Sequence, residues 1–281
     1  MATVGARATR IRDALERQSL LVPYRVKLAL VWAAIFTLLG LAFLSYGFDT
    51  EFMARWAGFI VKGAGLTVVI SVAAIALAVS LALLGALGRL SKLAIFNGPA
   101  SFYVSFVRGT PLIVQIYFVY LALPQIAIDA PPWLYQLLIL DVVPAGIIAL
   151  GINYGAYMTE IFRAGITSVG HGQVEAAHAL GMTTTQTMRR IVLPQAVRVI
   201  IPPTGNEFIA MLKDSALVGI LGTPELFFRA TKVGRQDFRI METLVVAAAI
   251  YWLLTSVFSF FQSRLERRLA TAYVREQPHG H

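Results

Sequence analysis

Apolar positions dominate this chain in runs too long and too unbroken for a soluble fold. The first extends from Leu28 to Phe48, and others cover about 63–88, 101–123, 142–163, 199–221 and 243–262. A helix that crosses a bilayer needs roughly 20 predominantly apolar residues, so each run is predicted to be a transmembrane helix. Glycine and proline recur inside them (Gly63, Gly65, Gly85, Pro111, Gly146, Gly151, Gly155). Membrane helices tolerate both where neighbouring helices cover the backbone. The run at 28–48 follows a polar, Arg-rich arm at 1–27 and exceeds the roughly 7–15 apolar residues of a secretory signal. It is predicted to be an uncleaved span, and six spans bring the chain back to the side on which it began.

The polar segments orient those spans. Arg7, Arg10, Arg12, Arg17, Arg25 and Lys27 precede the first; Arg89 and Lys92 follow the second; Arg163, Arg189, Arg190 and Arg198 lie in or beside the loop after the fourth; Arg264, Arg267, Arg268 and Arg275 fall in the tail. All lie on one side, and basic residues collect on the cytoplasmic side, so both termini are expected there. The opposite loop at 124–141 carries Asp129 and Asp141 and no Lys or Arg. One loop dissents: 222–242 should be external yet contains Arg229, Lys232, Arg235 and Arg239. Either it steers an acidic docking surface or it attracts lipid headgroups.

Composition agrees with the membrane reading. The apolar set makes up 57% of the 281 residues and charged residues 14%, against about a quarter charged in soluble domains; mean hydropathy is +0.70. The formal net charge of +9 sits beside the spans, a pattern of orientation rather than of nucleic-acid binding. With no cysteine in the chain, disulfides, thiolate catalysis and cysteine-ligated metals are excluded. The histidines, His171, His178, His279 and His281, form no metal-binding pattern.

The loop at 164–198 is the longest on the cytoplasmic side. Its centre reads Glu175-Ala176-Ala177, then Gly181, then Ile191, Leu193 and Pro194. The segment from Glu175 is a good helix former stopped by Gly181, which takes a left-handed backbone freely. Thr183 with Gln186 is a capping-box start for a second helix, with Met188, Ile191 and Val192 on one face and Pro194 ending or kinking it. The product is an amphipathic helix–turn–helix, either inserted into a partner or lying on the membrane.

That spacing resembles the EAA loop of ABC-importer permeases, in which the motif supplies a coupling helix that docks on an ATPase dimer. Phe106–Gln115, Asn153–Arg163 and Pro202–Ser215 resemble the polar amino-acid (histidine/glutamine/glutamate-type) subfamily. The resemblance implies an all-α polytopic membrane protein, the five-helix core of a type I ABC importer permease at 58–265, with 28–48 as one extra N-terminal transmembrane helix and 266–281 as a cytoplasmic tail. It further implies an inner-membrane, non-catalytic subunit that translocates a polar amino acid. Its partners would be an ABC ATPase dimer, a second permease copy or paralogue, an extracytoplasmic amino-acid-binding protein and membrane lipid, with no nucleic acid. Glu175, Ala176, Ala177, Gly181, Ile191, Leu193 and Pro194 would couple to the ATPase. No Gly-x-x-x-x-Gly-Lys-Ser/Thr occurs, so the chain lacks the phosphate-cradling loop. No cofactor is expected on this chain, and ATP and Mg would sit on the partner. The competing readings are an ABC permease for another small solute and a self-sufficient secondary transporter.

Charged groups inside spans mark pathways or pairs. Glu207 and Asp214 fall on one helix face with Ala210 and Met211 between them, and Lys213 adjoins them. They line a cavity or form a buried ion pair. Asn153, Tyr157 and Glu160 share another face. Asn153 and Tyr157 suit the polar ends of an amino acid, whereas Glu160 is expected to pair with Arg163 on the helix surface. Gln115 is a pore group or an interhelical hydrogen bond, and Arg108 is expected to snorkel to the interface.

Overall fold

The computed structural model describes residues 23–274; the arm residues Arg7, Arg10, Arg12 and Arg17, and Arg275 with the final histidines, lie outside them. Within that range the chain is almost wholly helical, and it divides into two compact units at Thr50–Glu51.

The first unit contributes α1, Tyr24–Tyr46, close to the predicted 28–48 run. It is apolar on every face, and none of its residues is buried by protein. A helix of that kind needs lipid or another chain around it. Gly47 ends it with a left-handed backbone (φ 72°), its N–H bonding the Leu44 carbonyl.

In the second unit α2, Thr50–Leu90, runs for 41 residues, far longer than the predicted 63–88. From Gly63 onward its buried stripe is small except for Ile70: Gly63, Thr67, Ser71, Ala74, Ala78, Ala82, Gly85 and Ala86. Without water to drive association, membrane helices gain from close van der Waals approach, and small residues permit it. α6, Val142–Thr167, supplies the opposing notches. A Cβ at Gly151 would meet Leu77, one at Gly155 would meet Leu81, and one at Gly85 would meet Thr159. The contacts advance four residues at a time along both helices, so α2 and α6 run parallel.

The run predicted as one span at 101–123 is instead broken. α3, Ala94–Arg108, and α4, Leu112–Ile126, meet at 108° across Gly109–Pro111. The cause is local: Pro111 disfavours helix at Thr110 and cannot donate a backbone hydrogen bond itself. After the short α5, Pro132–Leu138, the chain enters α6.

Beyond α6 come α7, His171–Ala179, α8, Thr184–Thr187, and α9, Leu193–Asp214. Pro194 is expected to end or kink the second loop helix, but the helix does not end there. The turn Met188–Val192 widens to π-helical geometry and the helix continues from α8 into α9. A π turn removes the clash between a proline ring and the carbonyl four residues earlier. The same device occurs in α4, where the π turn Phe118–Ala122 precedes Leu123-Pro124. The fold closes with α10, Ala216–Gly219, α11, Leu226–Gln236, and α12, Ile240–Val274.

Among the described residues, four helices are long and apolar enough to cross a membrane, five if the bent pair is one span. The chain is a multi-pass membrane protein. Its main core joins Ile70, Ala74 and Ala78 of α2 to Ile116, Leu150, Met158, Met211 and Val218.

Candidate functional site

Beside that core lies a cavity of about 550 Å³, lined by Arg108, Gly109, Thr110, Pro111, Leu112, Asn153, Tyr154, Tyr157, Glu207 and Asp214. Three pieces of chain build it: the break between α3 and α4, the middle of α6, and the second half of α9. The break is what turns Arg108 inward. Its guanidinium lies 5.1 Å from the centroid of the Tyr157 ring, within reach of a cation–π attraction. Glu207 and Asp214, seven residues apart on α9, line the same cavity.

Each polar wall is held by a neighbour. The Tyr154 hydroxyl donates to Asp214 Oδ2 at 2.8 Å. Asn153 Nδ2 donates to Gln115 Oε1 at 3.1 Å. Gln115 Nε2 in turn donates to the Val107 carbonyl at 2.8 Å and to Thr110 Oγ1 at 2.8 Å. Gln115 therefore ties the broken helix to α6 and orients Asn153; the interhelical alternative is the one observed, and the residue is absent from the cavity wall.

Of the residues picked from sequence, Asn153, Tyr157, Glu207 and Asp214 come together on the cavity. Met211 does not: it is fully buried in the core. Lys213 is exposed and also off the wall, one residue and about 100° of helix away from Asp214. Glu160 pairs with Arg163 at 2.8 Å and also with Arg89 at 3.2 Å, crossing to α2 as well as along α6. The wall also holds Arg108, expected to snorkel to the interface, and Tyr154, which was not among the expected site residues. The Gly-Thr-Pro after Arg108 was the available signal, because a break there aims the preceding residue inward.

At one end of α9 lies the 171–194 segment. Gly181 closes α7 with φ +78°, its N–H bonding the His178 carbonyl while the Met182 N–H bonds that of Ala177. Thr183 and Gln186 form the expected capping box, at 2.9 and 3.3 Å. Ala177 and Val192 are buried, whereas Glu175, Ala176, Leu193 and Pro194 are exposed and Ile191 is half-buried. Leu180 is 84% exposed at the tip, an apolar side chain presented to whatever meets the loop.

Residues 74–271 match the family of binding-protein-dependent transport system inner membrane components. The chain belongs to this family. The probable amino-acid ABC transporter permease protein YckA of Bacillus subtilis (strain 168) is 36% identical over 225 residues, 80% of this permease and 95% of that protein. The L-cystine transport system permease protein TcyB of the same strain is 40% identical over 190 residues, 67% of this chain and 77% of its own. Among solved structures, an amino acid ABC transporter with histidines aligns with a TM-score of 0.71 at 37% identity, over 79% of this permease and 99% of that chain. The fold is thus that of a type I ABC importer permease.

α11 carries Arg229, Lys232 and Arg235 of the dissenting loop, Arg239 follows it, and the permease employs the four unequally. Arg229 lies 4.8 Å from the Phe59 ring centroid and donates to the Pro224 carbonyl; Arg239 lies 5.4 Å from that of Phe52 and 3.8 Å from Glu242. These two are committed to α2 and to their own loop. Lys232 and Arg235 remain exposed. α11 is anchored by Glu225, fully buried at its N-terminus, which accepts from the Phe227 and Phe228 N–H groups (2.9 and 2.6 Å), from Thr67 Oγ1 (3.3 Å) and from the Tyr251 hydroxyl (2.9 Å). No cluster of metal-ligating side chains occurs among the described residues.

Proposed function

We propose that this permease is the non-catalytic membrane subunit of an inner-membrane importer for a polar amino acid, with the cavity as its substrate station. The observation that carries the reading is that Arg108, Glu207 and Asp214 line one space of about 550 Å³. A free amino acid presents a carboxylate and an ammonium close together, and such a wall offers each a partner of opposite sign. Two carboxylates against one guanidinium leave the wall acidic. Zwitterionic and cationic amino acids suit it, and a second substrate carboxylate would meet like charge.

ATP and Mg belong to a partner ATPase dimer, docked through Glu175, Ala176, Ala177, Gly181, Ile191, Leu193 and Pro194. The exposed apolar Leu180 and the locked turn at Gly181 support this, since a rigid tip loses little entropy on docking. A second permease copy or paralogue completes the pathway, and an extracytoplasmic amino-acid-binding protein meets the side bearing Lys232 and Arg235. The permease domain spans 58–265, α1 is an addition to it, and both termini are cytoplasmic.

The test is reconstitution. Vesicles holding the permease with its ATPase should accumulate a polar amino acid only with ATP on the ATPase side and binding protein on the other. Accumulation without any ATPase would contradict the proposal and favour a secondary transporter.

A further inference from the structure

α9 is a single helix whose two ends have different duties. Leu193 and Pro194 lie at the loop end, and Glu207 and Asp214 lie on the cavity. From end to end it measures roughly 30 Å at 1.5 Å per residue. Any displacement of the loop reaches the cavity acids through the helix's middle, and the middle is its weakest part. Pro202 and Pro203 sit inside it and have no backbone N–H to donate to the helical ladder. Gly205 follows at once, and glycine stiffens a helix least.

One side chain from another helix lies across this weak point. Gln262 of α12 donates from Nε2 to the Pro202 carbonyl at 2.7 Å, and the same amide donates to Glu266 Oε1 at 2.9 Å. It occupies the notch left by Gly205, where a Cβ would collide with the Gln262 amide. One turn towards the cavity, Phe208 packs edge-to-face on Phe258, ring centroids 5.1 Å apart. Gln262 thus touches α9 at its proline pair and its glycine, between the loop and the acids.

We propose that Gln262 is a positioning residue for transport: it fixes the angle of the Pro202–Gly205 joint, so that movement of the loop is delivered to Glu207 and Asp214. Without that clamp the two halves of α9 bend independently, and ATP hydrolysis is no longer converted into rearrangement of the cavity. The inference rests on the reading of 171–194 as the ATPase-docking segment. It adds the element that would make docking mechanically effective.

The test measures amino acid accumulated per ATP hydrolysed in vesicles containing the permease, its ATPase and binding protein. Gln262→Met keeps the length and fill of the side chain and removes the donor. Gly205→Ala displaces the amide from the opposite side and serves as the second variant. Both should lower uptake per ATP by about fivefold, the scale of one net hydrogen bond to a half-buried carbonyl, while ATP hydrolysis and co-purification of the ATPase persist. A wild-type ratio, or a proportionate fall of both rates with a lowered melting temperature, overturns the proposal. Glu175→Arg in the same preparations tests the docking reading separately. If the ATPase still co-purifies with it, docking through this loop is wrong whatever Gln262→Met shows.

Discussion

The Tyr154 hydroxyl donates a 2.8 Å hydrogen bond to Asp214 Oδ2, joining the middle of α6 to the end of α9 across the cavity wall. Tyr154 is only 4% exposed and Asp214 half-buried, so this bond is partly sheltered from competing water. It holds one carboxylate oxygen in place and leaves the other to meet a substrate. A cavity group pre-positioned in this way spares the substrate the ordering cost of binding.

Tyr154→Phe keeps the ring and deletes the bond. A hydrogen bond to a charged group contributes roughly 1.5–3 kcal/mol to stability, so the melting temperature should fall modestly. With Asp214 no longer held for the substrate, the KM for uptake should rise several-fold while expression is retained. An unchanged KM in reconstituted vesicles would detach Asp214 from substrate binding.

The acidic excess of the wall predicts a ranking. In competition uptake, cationic and amide amino acids should compete better than glutamate or aspartate, since like charges in a site of low dielectric repel strongly. Glu207→Gln should narrow that gap and Arg108→Gln should widen it. Equal competition by acidic and basic amino acids would show that these groups do not read the substrate.

Close helix approach gives a stability prediction with an internal control. A Cβ at Gly63 would lie 2.6 Å from the Leu226 backbone nitrogen, whereas one at Gly65 meets nothing within 4 Å. Backbone cannot rotate away as a side chain can. Gly63→Ala should therefore destabilise by roughly 1–3 kcal/mol, and Gly65→Ala should be neutral or slightly stabilising. Thermal unfolding in detergent, followed by helical circular dichroism, separates them.

Glu225 predicts an ordering of severity. Glu225→Ala leaves the buried N–H groups of Phe227 and Phe228 without their acceptor, and each such orphan costs about 1–3 kcal/mol. Tyr251→Phe removes one donor only and should cost roughly 1.5–3 kcal/mol, less than the two orphaned N–H groups together. Reversal of that order in the same unfolding assay would show that the carboxylate is not the anchor of α11.

Much of this was readable from the chain. Apolar runs locate the spans because a bilayer imposes length and composition together, and α1 and α6 fall close to the predicted limits. The loop was legible down to its capping box, since Thr183, Gln186 and Gly181 act on their own neighbours. What failed depends on longer range or on backbone detail. The 101–123 run is apolar on both sides of Gly109–Pro111, so hydropathy alone joined two helices that meet at 108°. Arg108 looked like any cation at a helix end until that bend turned it inward. Helical spacing put Met211 with Glu207 and Asp214 but could not fix the rotation of α9, which sends Met211 into the core. At Pro194 the usual expectation of a break was defeated by the π turn at Met188–Val192.

The chain contains no cysteine, which permits one direct measurement of the central claim that the cavity is an ATP-gated substrate station. A single Tyr157→Cys variant, on the cavity wall, is assembled with its ATPase and binding protein in vesicles and exposed to a membrane-impermeant thiol reagent. Labelling should be slowed by the transported amino acid and should change the side from which it proceeds between the nucleotide-free and ATP-bound states. Lys213→Cys, off the cavity, should respond to neither. Labelling of Tyr157→Cys at one rate from one side, whatever the amino acid or nucleotide present, would contradict the account.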